Sequence, residues 1–240
     1  PTIFFFCFSL FIILGDLVVR EDSAEQQYSK LYLLNLPMYL NFPLLTIILL
    51  ISAFMLGDVP QNAFTNIIST YLNINILEVR GSLNIFDSIF LVAQMGLFIG
   101  IMGTVPGHEL VHRKKNKFDM FMGNWLLALS WDCAFALEHV HGHHKNVGLP
   151  SDPATARRGE NIYSFIVKAT FKEHRDAWKI ELDQLRRRNI PLLSMRNKMI
   201  LGYLRSASII ILAYFIGGLK GALFFLLFSI IAKALLEVIN

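Results

Sequence analysis

The sequence predicts an all-α fold, a polytopic membrane bundle with histidine-box helices on its cytoplasmic side. Three observations lead there. Apolar residues make up 54% of the 240 and charged residues only 17%, against roughly 45–50% and about 25% in soluble domains; mean hydropathy is +0.49. The apolar surplus falls in blocks, and several approach the roughly 20 residues a helix needs to cross a bilayer. Six of the seven histidines lie between His108 and His144, beside those blocks. A soluble monomer is thereby excluded, and two cysteines, Cys7 and Cys133, leave no disulfide framework and no CxxC site.

Taken in order, the blocks predict spans at about 1–14, 31–56, 83–105, 199–216 and 219–239. The first is short and reads as the remaining end of a truncated span. Because the chain opens on Pro1 inside one apolar run and stops at Asn240 after another, one domain truncated at both ends is expected. Asn35, Pro37, Asn41 and Pro43 weaken the second block as a soluble helix but are tolerated in a membrane bundle. Gly96, Gly100 and Gly103 in the third read as a close helix-packing seam, since nothing around them reads as strand then helix. Gly217-Gly218 is too short for anything but a hairpin between the last two blocks. The stretch 118–137 carries Asp119, Asn124, Ser130 and Asp132, too polar for an ordinary span. A single crossing there would hold the histidines on its two sides about 30 Å apart, so a re-entrant or interfacial hairpin is expected. Beyond it, 138–198 reads as cytoplasmic: Asp152-Pro153 offers a helix N-cap followed by proline, and Tyr163 to Arg188 alternates in helical fashion.

Charge sets the expected orientation. Between Arg113 and Lys198 lie 16 of the 22 Lys and Arg residues against 9 acids, a net of +7. The positive-inside rule puts that region in the cytoplasm. Counting crossings then places 57–82 outside, with the acidic loop 15–30 and the C-terminal end inside.

The histidines form two groups. In HELVH, His108 and His112 are four apart and share a helix face, close enough to chelate one ion. In EHVHGHH, His139 and His143 repeat that spacing, and His144 points about 100° away if the helix continues. His141 faces elsewhere and reads as a solvent or supporting residue, and His174 as an ordinary histidine of a charged amphipathic stretch. Imidazole suits iron, copper and zinc alike. HELVH matches the HExxH zinc motif, with glutamate as base, but that leaves the second group unexplained, whereas a two-metal site uses all five. Ligating imidazoles are oriented by carboxylates or carbonyls on the far nitrogen, and Glu109, Glu138 and Asp152 are the nearest candidates.

HELVH with its basic follower, then EHVHGHH, then LPSDPATARRGENIYSF, resemble the integral-membrane alkane hydroxylases, the alkane 1-monooxygenase branch of the membrane fatty acid desaturase and hydroxylase superfamily. The similarity is sharpest from Gly107 to Phe165. It implies six transmembrane helices in a bacterial inner membrane, with a di-iron centre at their cytoplasmic mouth that oxidises the terminal carbon of a hydrocarbon with O2. The implied iron ligands are His108, His112, His139, His143 and His144. Further family ligands come from a motif of the type NYxEHYG and a later HSxHH box, and the former would begin at Asn240. Arg113 stands where the family more often has lysine.

An alkane offers no polar handle, so its recognition requires a dry apolar channel. The Phe-rich first block, Phe8 included, is a candidate lining, with core or lipid packing as the plain alternative. Neither a Rossmann fingerprint nor a cysteine set for iron–sulfur is present. The resemblance therefore implies electrons from a rubredoxin, reduced in turn by an NADH-dependent reductase. Arg157, Arg158 and Arg186 to Arg188 would meet either that acidic partner or anionic lipid. Three competing readings remain: a related di-iron enzyme acting on fatty acyl, aromatic or terpene substrates, an intramembrane zinc protease built on His108, Glu109 and His112, and a metal transporter.

Overall fold

A computed structural model describes residues 1–19 and 31–239, and every regular element among them is a helix. The acidic loop expected at 15–30 lies mostly outside the described residues. α1 (Thr2–Val18) runs past its expected end and holds its start by the Thr2 hydroxyl, which donates to Asp87 Oδ1 at 2.9 Å. α2 (Leu31–Leu56) keeps Pro37 and Pro43 inside the helix. Two short helices follow, α3 (Ala63–Leu72) and α4 (Ile76–Gly81), then α5 (Ile85–His112) and α6 (Lys117–Ala128). A short helix α7 covers residues 135–146, α8 spans Ile162–Arg187 and α9 spans Lys198–Ile239.

Asparagine starts most of these helices. Asn62, Asn75, Asn84, Asn116, Asn161 and Asn197 each accept a backbone N–H of the first turn, which satisfies donors that the helix itself leaves unpaired. The cap expected at Asp152-Pro153 does not form: no helix starts there, and the next one waits for Asn161. Asp152 has another task, described below.

Three helices are long and apolar enough to cross a membrane, Asn35–Leu56, Ile85–His112 and Lys198–Ile239. The last is broken at Gly218, whose φ of 72° is in the left-handed region. Ser206 and Ser229, on either side of the break, donate to the adjacent carbonyls of Ala128 and Leu129 at 3.0 and 2.7 Å. Both halves therefore return to the same level, as a hairpin does, and their hydroxyls satisfy carbonyls at the end of α6 that lack helical partners. The hairpin tip packs on α2 so closely that a Cβ on Gly217 would lie 2.5 Å from the Ala53 carbonyl oxygen. Gly96 meets Ile231 and Gly100 meets Leu235 on α9, while Gly103 meets Leu45 on α2. The core sits among α2, α5, α6 and α9, with Leu45, Leu49, Phe54, Ile99, Leu126, Phe225 and Phe228 almost wholly buried.

α8 buries every fourth residue, Phe165, Ala169, Glu173, Ala177, Glu181 and Leu185. A stripe at that period lies along one helix face. Its two glutamates are each engaged: Glu181 accepts the Lys198 N–H at 2.8 Å, and Glu173 meets a lysine of α9.

Candidate metal centre

A π turn precedes the first histidine group and contains most of the second. In α5 the wide turn covers Ile99–Thr104, just before Pro106, and Val105 N–H reaches back five residues to the Gly100 carbonyl. In α7 it covers His139–His143. The second alters the ligand geometry. With five-residue spacing of hydrogen bonds, His139 and His144 come onto one face, and His143 turns aside. The expected pairing of His139 with His143, and His144 pointing away, is therefore reversed.

His108, His112, His139 and His144 bring one ring nitrogen each within 4.8 Å of all the others. His139 Nε2 lies 2.9 Å from His108 Nε2 and 3.2 Å from His144 Nε2. Burial, reinforced by His108 and the other imidazoles, pushes the His139 pKa down to about 2. The ring is thus neutral across the physiological range, the form that ligates metals. Its far nitrogen, Nδ1, is buried without a hydrogen-bond partner among the described residues. Four converging imidazoles, His139 among them held neutral by burial, form a donor set that fits a transition metal.

His143 lies beside this group, its ring stacked on that of His139 at 5.2 Å between centroids. Its Nδ1 is 3.0 and 3.1 Å from the two oxygens of Asp152. Asp152 is fixed in turn by the Ala154 N–H and the Thr155 hydroxyl. A carboxylate on Nδ1 keeps the proton there and leaves Nε2 with a lone pair. Glu138 is buried behind the same turn, and Gly142 makes room for it: a Cβ there would sit 2.3 Å from Glu138 Oε1. Burial first, then the Asp152 charge, raises the Glu138 pKa to about 7.

Glu109 does not touch an imidazole. It is 57% exposed and pairs with Arg113 at 3.0 Å, and Arg113 also donates to Asn35 Oδ1. His141 lies outside the group of four. Phe8 packs edge-on against Phe98 at 5.1 Å within the core, while Phe4 lines the neighbouring apolar cavity of about 460 Å³.

The two histidine groups meet because α5 and α6 fold back on one another at glycines. A Cβ on Gly123 would lie 2.9 Å from Val111 Cγ1 and 3.0 Å from the Gly107 carbonyl oxygen. α6 thus returns the chain toward His139 instead of separating the groups. Sequence reasoning missed the buried ionic cluster behind the site. Lys233 Nζ contacts Asp132 and Glu173 at 3.0 Å each and Glu237 at 2.6 Å. The available signal was Lys233 and Glu237, four apart inside an apolar span, since charges there demand partners.

A membrane-spanning helical bundle whose helix ends bring four imidazoles to one point defines an integral membrane protein with a metal-competent histidine cluster. The chain belongs to the fatty acid desaturase family, whose model matches residues 88–240 and so covers both histidine groups and α9. It is 36% identical over 149 residues to alkane 1-monooxygenase 2 of Pseudomonas aeruginosa, covering 62% of this chain and 39% of that protein. It is 38% identical over 119 residues to an alkane 1-monooxygenase of Pseudomonas putida, covering 50% and 29%. The xylene/toluene monooxygenase hydroxylase component of Pseudomonas putida is 33% identical over 138 residues, covering 57% and 37%. The matched stretches thus span about two-fifths or less of these relatives.

Proposed function

We propose that the protein is a di-iron, O2-dependent monooxygenase that hydroxylates the terminal carbon of alkanes within the membrane. The observation that carries this reading is the convergence of His108, His112, His139 and His144 within 4.8 Å at the end of membrane-spanning helices. Those four would hold one iron, and His143, with Asp152 behind it, would contribute to a second. Iron bound there supplies the redox chemistry that lets O2 attack an unactivated C–H bond.

The chain's own groups do the rest. Burial keeps His139 neutral, and Asp152 holds the His143 proton on Nδ1, which leaves the Nε2 lone pair free to ligate. Electrons come from a rubredoxin, ultimately from NADH, which docks on the cytoplasmic face of an inner membrane near Arg157, Arg158 and Arg186 to Arg188. The basic middle region supports that orientation. The similarity to the xylene/toluene enzyme supports a second reading, an aromatic substrate. Pairing of Glu109 with Arg113 argues against a zinc protease, in which that carboxylate would serve as base.

Metal analysis and product analysis on the intact protein test the proposal. About two irons per chain, and ¹⁸O from labelled O2 in the primary alcohol of an added alkane, are expected. His143→Ala should lower iron content from about two to about one per chain while leaving membrane insertion intact. Zinc in place of iron, or full iron content in that variant, would overturn the reading.

A further inference from the structure

At the end of the bundle opposite the histidines, the end of α2 at Leu56, the start of α5 at Ile85 and the α9 break at Gly218 come together. Gly57 and Gly217 touch there, with a Cβ on Gly57 only 2.2 Å from the Gly217 carbonyl oxygen. α5 has 28 residues between Ile85 and His112, so the two ends are about 40 Å apart along the helix. This end therefore meets the other surface of the bilayer.

A cavity of about 580 Å³ opens at this level. Its walls include Leu77, Leu83, Ile85 and Phe224, and two cations enter it, Arg80 and Lys220. Neither cation has a carboxylate within 4.0 Å among the described residues. The acids nearest in sequence do not reach them: Asp58 lies against Gly218, and Glu78 is on the exposed side of α4. Arg80 is held in place by two contacts. Its Nη1 donates to the Val59 carbonyl at 2.6 Å, and its guanidinium carbon sits 4.7 Å over the Phe54 ring. That leaves further N–H donors of a fixed fork for an anion. Beside the cavity the surface is apolar and exposed, with Ile85, Phe86 and Ile89 on α5 and Leu219 and Leu223 on α9.

We propose that this cavity binds an anionic phospholipid, its phosphate between Arg80 and Lys220 and its acyl chains along the exposed flank of α5 and α9. Two cations in a cavity of mixed polarity at a bilayer surface match an anionic headgroup in charge, and the adjoining apolar flank matches what is attached to it. A free inorganic anion would use the cations alone and gain nothing from the flank. The lipid ties together the three segments that meet here, α2, α4–α5 and the hairpin tip, far from the metal centre and independently of it.

The test is native mass spectrometry of the intact protein in detergent micelles titrated with phosphatidylglycerol, phosphatidylcholine or inorganic phosphate. Lys220→Gln is the informative variant, because Lys220 is exposed and its loss leaves the packing untouched; Arg80→Gln is the second. Phosphatidylglycerol should bind about fivefold more weakly to Lys220→Gln, the effect of one cation near a lipid surface, and more weakly still to the double variant. Phosphatidylcholine binding should be weaker at the outset and insensitive to Lys220→Gln. Equal phosphatidylglycerol binding by the parent and both variants would overturn the site. Displacement of the lipid by millimolar phosphate would overturn the lipid as its ligand. Iron content should be the same in all, so the outcome is independent of the fate of the metal assignment.

Discussion

Replacing Lys233 with methionine leaves three buried carboxylates facing one another. Lys233 is 9% exposed, Asp132, Glu173 and Glu237 no more than 4%, and the lysine touches all three at 2.6 to 3.0 Å. Coulomb's law at an effective dielectric of about 20 gives roughly 5–6 kcal/mol of gross attraction per contact near 3 Å. Desolvation of the four groups offsets most of that, so the intact cluster contributes little net stability. Removing its one cation is different, because Asp132 and Glu237 then stay buried without it beside a Glu173 that keeps its proton, at a cost of about 3–5 kcal/mol. Total stability is typically only about 5–15 kcal/mol, so Lys233→Met should unfold far more readily and accumulate poorly. The assay is denaturant unfolding in micelles followed by helical circular dichroism, with Lys233→Arg as the variant that keeps the charge. A loss below about 1 kcal/mol in Lys233→Met would refute the reasoning, since it would mean that the carboxylates need no cation.

The same cluster predicts a pH response. Burial raises the Glu173 pKa to about 9 against the pull of Lys233, so the folded protein keeps a proton that the unfolded chain releases above its ordinary value of 4.5. The stability from this group is full below 4.5 and is lost as pH rises toward 9; Glu173→Gln should flatten that slope in thermal unfolding. At the α5–α6 contact, Gly123→Ala forces Val111 and the Gly107 backbone away, at about 1–3 kcal/mol of overpacking. It should also lower metal affinity, and unchanged unfolding and metal content would contradict the close contact. Asp152→Asn should weaken metal binding about 10–100-fold by loosening the His143 tautomer, measured by chelator competition, with helix content unchanged.

Much of the fold was legible because composition and block length report directly on the solvent. A 26-residue apolar block such as Leu31–Leu56 has few other homes than a bilayer. The amphipathic helix expected at Tyr163 to Arg188 appears at Ile162–Arg187, its buried positions falling every fourth residue although two of them are Glu173 and Glu181. Asp152 was offered both as a cap and as a support for an imidazole; no helix starts there, because Asp-Pro is only a local signal and the carboxylate goes to His143, nine residues away. Glu109 was offered to the metal on motif spacing alone, and the structure gives it to Arg113. His143 and His144 exchanged places because an ideal 3.6-residue period was assumed where the backbone widens.

By itself, the sequence determined that this is a helical membrane protein with metal-ligating residue types concentrated between His108 and His144, because hydropathy and ligand type are properties of residues one at a time. Only the tertiary structure decided which imidazoles converge, which carboxylate meets His143, and that Lys233 gathers carboxyl groups from three elements. Those depend on helix register and on distances between segments up to 101 residues apart. A π turn or a glycine contact shifts them by several ångströms without changing the pattern of residues.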